Sequence, residues 1–216
     1  MAVKRTDFSP VLHGFKFTNR FDFPDFFQFK LPFIRVVPLS LAEVIYGLCG
    51  GMCFAALDYF HSNVSVPEFT SPDDISLRLF YYLWEKQLQS LDSKVLRKVF
   101  KWMILEDNML SRIVNQWEIP KLRAKIDSGS PAVMLLIRVK GISDPTQNHQ
   151  VIACGYEEDP ATKEMKIHLY DPNHPRIEPT LSMNLSKPTQ GIHLTQSTGE
   201  PLRGFFVLDY QVDTPP

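Results

Sequence analysis

One boundary, at Asp127-Ser128-Gly129-Ser130-Pro131, constrains the fold more than any other feature of the sequence. Upstream of it, apolar residues recur at helical spacing over much of the segment from Met52 to Ile126. Downstream of it, short β-prone runs alternate with turns that contain Asp-Pro pairs. A helical segment followed by antiparallel strands predicts an α+β fold.

The chain of 216 residues is long enough for one substantial core or for two half-domains that share a cleft. We predict a single domain over residues 1–216, with a Phe-rich strap at 1–38, a helical half at 39–128 and a β half at 129–213. The strap holds nine of the sixteen phenylalanines, and we expect their rings to pack over the core. The alternatives are an aromatic patch for a partner or a segment that covers a cleft.

Local signals predict the individual elements. Ser71 followed by Pro72 is a strong helix start, because it offers an N-cap and a pre-set φ angle, and two aspartates follow it. The tail that ends in Thr214-Pro215-Pro216 is expected to be frayed. The predicted helices cover residues 49–60, 71–91, 92–105 and 108–126, the last of them interrupted near Pro120. The predicted strands cover residues 14–17, 132–139, 150–155, 166–170, 181–185 and 204–210.

Composition argues against several classes of function. The net charge is −1, so no basic surplus favours binding to nucleic acid or to an anionic membrane. The apolar run at residues 131–137 is too short to span a bilayer, and no secretory signal is visible. Three cysteines are too few for a disulfide scaffold, so we expect free thiols and a cytoplasmic location. No phosphate loop or dinucleotide fingerprint is present, and no cofactor is expected.

The stretch from Gly47 to Phe60 begins with glycines and is predicted to continue as an amphipathic helix. Cys49 lies at the start of this helix, where the dipole and the free N–H groups stabilise a thiolate, the nucleophilic form of cysteine. Gly50 and Gly51 weaken the first turn, so we expect a need for bare backbone, such as the approach of a substrate carbonyl to these N–H groups. The alternative is a Gly-Gly turn before a buried helix with two core cysteines.

A histidine and an aspartate are predicted to meet at one edge of the sheet. His149 starts an apolar strand and Asp171 ends the next one. A hairpin with its loop near residues 157–163 would run these strands antiparallel, so the start of one lies beside the end of the other. An acid in this position fixes the tautomer of the histidine, which can then take the proton of a thiol.

This order of motifs resembles the papain-like cysteine peptidases over about residues 40–175. It is most similar to the peptidases that process bacteriocin leaders within export transporters, and to their stand-alone relatives. The motifs that carry the resemblance are Gly129–Val133 before the histidine strand, His149-Gln150-Val151, Gly155-Tyr156 and Asp171-Pro172. The resemblance implies a papain-like fold, in which a helical subdomain with the nucleophile packs against an antiparallel sheet that carries the base and the orienting acid.

The identity of the nucleophile stays open between two cysteines. The resemblance implies a cysteine after Gly-x, which both Cys49 and Cys53 satisfy. We favour Cys49 because the helix dipole acts mainly on the first turn, and Cys53 would then be the packed residue one turn deeper. Cys154 lies inside an apolar strand run and is interpreted as a core residue.

One position departs from the family pattern. Papain-like enzymes usually have a glutamine about six residues before the nucleophile, which donates to the oxyanion. Glu43 stands there in this chain, and Gln28 is the only glutamine upstream. An ionised carboxylate cannot donate a hydrogen bond. We therefore expect the second donor to be a backbone N–H or Asn19 of the strap.

Several other side chains are candidates for the cleft. Asn173 is an alternative orienting residue, and His174 either lines the cleft or lies exposed in a turn. The Cys49-x-x-x-Cys53 spacing together with His149 would also suit zinc, but no second ligand pair fits, and no metal is predicted. The remaining histidines have no partner signature; these are His13, His61, His168 and His193.

The sequence thus predicts a cysteine hydrolase that cleaves a peptide or isopeptide amide of a peptide or protein substrate. Cys49 would attack, His149 would move the proton, Asp171 would orient the ring, and the backbone N–H of Cys49 would stabilise the oxyanion. The same triad would also suit a deamidase or an acyltransferase. A catalytically silent binding module that uses the cleft is the alternative from a different class.

Overall fold

The structure is a computed structural model that describes residues 2–21, 47–186 and 194–216. As the sequence predicts, it has an α+β architecture, in which helices pack against a curled antiparallel sheet. The helices of the described ranges are α1 (Pro10–His13), α2 (Cys49–His61), α3 (Leu77–Ser90), α4 (Ser93–Ile104), α5 (Asp107–Ile113) and α6 (Ile119–Asp127). Within these ranges, no helix combines the length and the apolar character that a membrane span requires.

The strands are β1 (Ala2–Arg5), β2 (Ala132–Ile137), β3 (His149–Glu158), β4 (Glu164–Tyr170), β5 (Thr180–Asn184), β6 (Thr195–Gln196) and β7 (Gly204–Val207). They form one sheet in the order β6-β5-β4-β3-β2-β7. The long strand β3 pairs with β2 over its first half and with β1 over its second half, so β1 extends the side that β2 leaves open. Strands β2, β3, β4, β5 and β7 lie where they are predicted, whereas β1 and β6 are not predicted.

Helix α2 is buried from Cys49 to Tyr59, so its predicted amphipathic character is wrong. A helix that is apolar nearly all round needs neighbours on every side, and α1, α3 and β3 pack against α2. The contact with α3 is close because Gly51 has no side chain. A Cβ atom on Gly51 would lie 2.1 Å from the carbonyl oxygen of Leu83. The glycine therefore sets the distance between the two helices.

Helix α3 begins later than the sequence predicts. Ser71 does cap a turn, since its side chain accepts a hydrogen bond from the N–H of Asp73, but this turn is a 3₁₀ turn at Pro72–Asp74. A second serine, Ser76, caps α3 itself and accepts from the N–H of Leu79. The two serines thus cap two separate turns, and only the second one starts α3.

The predicted interruption near Pro120 is a π-helical turn at Val114–Glu118. It brings the buried Glu118 to the sheet, where its Oε2 accepts a hydrogen bond of 3.0 Å from the N–H of Val207. Lys98 neutralises the same carboxylate at 2.7 Å. Gly129 ends the helical half with a φ of 81°, as its place in the boundary segment predicts.

The described part of the strap packs on the core, as the sequence predicts. Phe8, Phe15 and Phe17 are buried, and Phe21 is partly buried against the core. The predicted strand at residues 14–17 is wrong, because this segment is irregular. The other five strap phenylalanines lie outside the described residues.

The C-terminal segment is anchored as far as Asp213, while fraying of the last three residues stays a prediction. The backbone N–H of Asp213 donates to Asp58 Oδ1 at 2.7 Å, and its carboxylate lies 3.1 Å from Lys86 Nζ. Tyr210 donates its hydroxyl proton to the same Asp58 oxygen at 2.6 Å. Asp58 and Lys86 are both buried and lie 2.9 Å apart. The tail thus closes over α2 and α3.

Candidate active site

Cys49, His149 and Asp171 come together in the structure. Cys49 is the first residue of α2, His149 is the first residue of β3, and Asp171 directly follows β4. His149 Nε2 lies 2.6 Å from Asp171 Oδ1, and the imidazole hydrogen-bonds to the Cys49 thiol. Because Asp171 occupies Nε2, the ring nitrogen left for the thiol is Nδ1. Relative exposures of 9% for Cys49, 3% for His149 and 0% for Asp171 place this cluster almost wholly out of water.

A β-bulge between β3 and β4 decides that Asp171 faces His149. The bulge at Cys154 displaces the register by one residue, so that Ile152 lies opposite Tyr170. Asp171 then comes diagonally next to His149 on the same face of the sheet. Without the bulge, Asp171 would lie opposite Ile152 and on the other face from His149, because alternate residues point to opposite faces. One extra residue thus assembles the site.

The surroundings of Cys49 favour its thiolate. Burial alone would raise the pKa of the thiol, but the charge and the hydrogen bond of His149 outweigh burial and lower it. The backbone N–H groups of Gln150 and Gly50 also donate to the sulfur and lower the pKa further. The helix N-terminus and the strand that carries His149 therefore act on the same atom.

His149 has the opposite shift. Burial would lower its pKa, but the carboxylate of Asp171 and the sulfur of Cys49 raise it to about 9. Burial would raise the pKa of Asp171, yet the ring of His149 and the backbone N–H of Asn173 hold the pKa of this carboxyl below its usual range. These opposed shifts favour a thiolate beside an imidazolium near neutral pH.

The other two cysteines lie in settings that favour the thiol. Burial first, and then the charges of Cys49 and Asp171, raise the pKa of Cys53 well above its usual value. Burial first, and then the charge of Glu178, raise the pKa of Cys154 to about 12. Cys154 Sγ lies 3.4 Å from the carbonyl oxygen of His168, inside the sheet. Of the three, only Cys49 has a lowered pKa.

The two glycines after Cys49 serve packing. A Cβ on Gly50 would lie 2.1 Å from Ser90 Oγ and 2.5 Å from Gln150 Nε2, and the Gly51 site faces the backbone of α3. The Gly51 N–H donates to Gln87 Oε1 at 2.8 Å. The close contacts with α3 and β3 therefore require bare backbone at both glycines.

Asn19 and Asn173 hold segments together around the triad. Asn19 Oδ1 accepts from the N–H of Leu48 at the entry to α2, and Asn19 Nδ2 donates to Asn173 Oδ1 at 3.1 Å. The N–H of Asn173 donates to Asp171 Oδ1 at 2.8 Å. These contacts make Asn19 a link between the strap, α2 and the Asp171 turn, and they leave the contact with His149 Nε2 to Asp171.

His174 is partly buried and not simply exposed in a turn. Its Nε2 lies 2.6 Å from Glu200 Oε1, and its backbone N–H donates to the carbonyl oxygen of Asp171 at 2.9 Å. His168, for which the sequence shows no partner, lies between Glu157 at 2.9 Å and Glu178 at 2.8 Å. His174 therefore braces the Asp171 turn, while His168 lies in a separate ionic cluster.

Gln196 contacts the triad and is missed by the sequence reading. Its Nε2 donates to Asp171 Oδ2 at 3.0 Å. The two-residue strand that carries it is too short for a pattern, and no motif surrounds it. Three residues named from the sequence, Gln28, Glu43 and His193, lie outside the described residues.

Among residues 2–21, 47–186 and 194–216, no group of three or more His, Cys, Asp or Glu side chains is placed to hold a metal ion. No family model, no curated protein and no solved structure matches this chain.

Proposed function

We propose that this protein is a papain-like cysteine hydrolase that acts on a peptide or isopeptide amide of a peptide or protein substrate. The observation that carries the proposal is the buried chain of contacts from Cys49 through His149 to Asp171, with 2.6 Å between the imidazole and the carboxylate. Nucleophilic catalysis needs a nucleophile, a base in contact with it and a group that orients the base. The three residues have the chemistry for these roles, in this order.

The proposed reaction has two halves. The Cys49 thiolate attacks the carbonyl carbon, and the tetrahedral oxyanion is stabilised by the backbone N–H of Cys49 at the start of α2. The C–N bond then breaks, and the His149 imidazolium gives its proton to the leaving amine. Water attacks the thioester while His149 takes a proton from it. The C–S bond breaks and restores the thiolate, with His149 as the imidazolium. The carboxylic acid gives its remaining proton to solvent and leaves as the carboxylate.

The burial of the triad supports the proposal because it shields the charged groups from bulk solvent. Asp171 is fully buried, and its charge is met by His149 and by the N–H of Asn173. A fixed dipole or charge acts more strongly in such a site than in water. A deamidase or an acyltransferase would use the same three side chains and differ only in the leaving group or the acceptor.

A catalytically silent binding module is the second candidate. Glu43 favours it, because this residue stands where papain-like enzymes have the glutamine that donates to the oxyanion. The module would bind a partner through the cleft that the sequence predicts and would lack turnover. The state of the Cys49 thiol discriminates between the two, because a binding surface does not need a thiolate.

The decisive test is the pH dependence of iodoacetamide alkylation, with peptide mapping of Cys49, Cys53 and Cys154. We expect Cys49 to react fast well below the ordinary thiol pKa of about 8.5. In His149→Gln, which retains an amide N–H for Asp171, the rate at pH 6.5 should fall by up to about 100-fold, since an ordinary thiol is only about 1% ionised there.

His61→Ala is the matched control, because His61 lies at the other end of the same helix. It should leave the alkylation curve unchanged. If Cys49 reacts only at high pH in the wild type, the enzyme is rejected in favour of the binding module. If Cys49 is reactive, cleavage of a fluorogenic peptide library identifies the substrate class, and Cys49→Ala should abolish it.

A further inference from the structure

Asp171 is a fully buried carboxylate, and its two oxygens have different partners. Oδ1 accepts from His149 Nε2 at 2.6 Å and from the N–H of Asn173 at 2.8 Å. Oδ2 accepts from Gln196 Nε2 at 3.0 Å. A buried carboxylate is costly unless hydrogen bonds satisfy it. Gln196 therefore supplies the side-chain donor to the oxygen that His149 does not contact.

Gln196 is itself held in one orientation. A glutamine amide has nearly the same shape when it is turned over, but then its oxygen would face the carboxylate and repel it. Arg138 Nη2 donates to Gln196 Oε1 at 3.1 Å. A guanidinium has donors and no acceptor, so it selects the amide oxygen and turns the NH₂ group toward Asp171.

We infer that Gln196, oriented by Arg138, is a positioning residue that keeps Asp171 ionised and aligned with His149 for the proposed reaction. The contacts run in one line from Arg138 through Gln196 and Asp171 to His149. This inference rests on the proposed function, because it concerns the proton equilibrium of the Cys49–His149 pair. It adds Arg138, which directly follows β2, and Gln196 of β6 to a site that otherwise draws on α2, β3 and the end of β4.

The backbone of Gln196 does not depend on this side chain. Gln196 lies opposite Leu181 in the ladder between β6 and β5. Its neighbour Ser197 donates its N–H to Thr180, and Ser197 Oγ accepts the N–H of Thr180 at 2.9 Å. Ser197→Ala therefore loosens the same edge of the sheet without a contact to Asp171. It is the matched control for a purely structural effect.

The experiment compares the full-length wild type with Gln196→Met, Arg138→Met and Ser197→Ala. Rates of iodoacetamide alkylation at Cys49 are measured from pH 5 to pH 10. Methionine keeps the approximate volume of glutamine and removes the donor. In Gln196→Met we expect the alkylation rate of Cys49 at pH 6 to fall about tenfold. A rise of one unit in the pKa of Cys49 lowers its ionised fraction tenfold there.

The plateau at high pH should stay unchanged in Gln196→Met, because Cys49 is then fully ionised in every variant. Arg138→Met should lose about threefold at pH 6, since the amide can still donate in one of its two orientations. Ser197→Ala should follow the wild type. The downfield proton resonance of the His149–Asp171 hydrogen bond should weaken in Gln196→Met and persist in Ser197→Ala.

Urea denaturation shows whether each variant is folded. If Gln196→Met does not fold, the alkylation profile of Arg138→Met tests the inference by itself. If the pH profile of Cys49 alkylation in Gln196→Met or Arg138→Met superimposes on that of the wild type, the inference is overturned and the proposed function stays intact. A plateau lowered in the same proportion as the low-pH rate would also overturn it, because that pattern indicates lost structure. An ordinary thiol pKa for Cys49 in the wild type would contradict the function and the inference together.

Discussion

Helix α2 carries two buried polar clusters, one at each end, and their pKa shifts have different consequences for protonation. The site cluster consists of Cys49, His149 and Asp171. The tail cluster lies around Asp58, nine residues further along the helix and thus about 13 Å away at 1.5 Å per residue. Its other members are Tyr82, Lys86, Tyr210 and Asp213.

In the site cluster, the pKa values of two groups are shifted toward each other. The pKa of Cys49 is lowered, and that of His149 is raised to about 9. In the tail cluster, burial first and then the hydrogen bonds to Asp58 raise the pKa of Tyr82 and of Tyr210 far above the neutral range. The shifts in the site cluster favour a Cys49 thiolate beside a His149 imidazolium, whereas those in the tail cluster keep both tyrosines protonated.

A perturbed pKa does not by itself mark a functional site. Both clusters contain strongly shifted groups, but only one of them pairs a donor and an acceptor whose pKa values approach each other. The tail cluster instead distributes one carboxylate, Asp58, among a cation, two hydroxyls and a backbone N–H. Such complete pairing stabilises a fold and leaves nothing free to react.

The largest effect is expected from Asp58→Ala, which breaks the tail cluster. It leaves Lys86 in the interior without its buried counter-ion, and removal of one partner of a buried pair costs about 3–5 kcal/mol. Urea denaturation should show this loss in the free energy of unfolding, while the pH profile of Cys49 alkylation in the folded protein stays unchanged. The exposed Asp74, changed to alanine, is the control. A shifted alkylation profile in Asp58→Ala would show that the two clusters are coupled.

A smaller effect is expected at the site end of α2, from Gly51→Ala. The new Cβ would lie 2.1 Å from the carbonyl oxygen of Leu83, so α2 and α3 must separate. Overpacking of this kind costs about 1–3 kcal/mol. Gly129→Ala is the comparison, since a Cβ on Gly129 would have open space around it. Its cost of about 1 kcal/mol comes only from the positive φ, which alanine adopts less readily than glycine. If Gly51→Ala is as stable as the wild type, the close contact of the two helices is not required.

The pH dependence of stability separates the charged partners of His149. A raised pKa contributes stability that is fully present below the unfolded value of about 6.5 and is lost as the pH rises through the folded value of about 9. In Cys49→Ala the sulfur is gone and the folded pKa of His149 is raised less, so the loss should be complete at a lower pH than in the wild type. The window should still lie above 6.5, because Asp171 remains.

Urea denaturation from pH 6 to pH 10 measures this window, and one pKa unit corresponds to about 1.4 kcal/mol. Comparison of Cys49→Ala with the double variant Cys49→Ala/His149→Gln isolates the contribution of His149. An unchanged difference between these two variants over the whole range would contradict the charged state of His149.

The smallest effect is expected from Tyr82→Phe in the tail cluster. The variant removes the 2.7 Å hydrogen bond to Asp58 Oδ2, but Lys86 remains 2.9 Å from the same oxygen. A single hydrogen bond whose acceptor keeps another partner contributes about 1 kcal/mol. Thermal or urea unfolding should show this loss without a change in the reactivity of Cys49. A loss as large as that of Asp58→Ala would show that the cluster acts as one unit.

The sequence alone predicts helices α2 to α6 and strands β2 to β5 and β7 in their order, because hydrophobic period and turn residues are local signals. It also placed Cys49 at a helix start and brought His149 and Asp171 to one sheet edge, because a short hairpin dictates which strand ends meet. The resemblance to papain-like peptidases rests on the same local motifs and stays a prediction.

Other features depend on contacts between distant parts of the chain. The bulge at Cys154 selects the face on which Asp171 lies, and no composition rule predicts a displacement of one residue. Gln196 reaches Asp171 from a strand of two residues, and Asp213 reaches Asp58 from the tail. These contacts join residues far apart in the chain, so their energies depend on packing distances that local patterns do not contain.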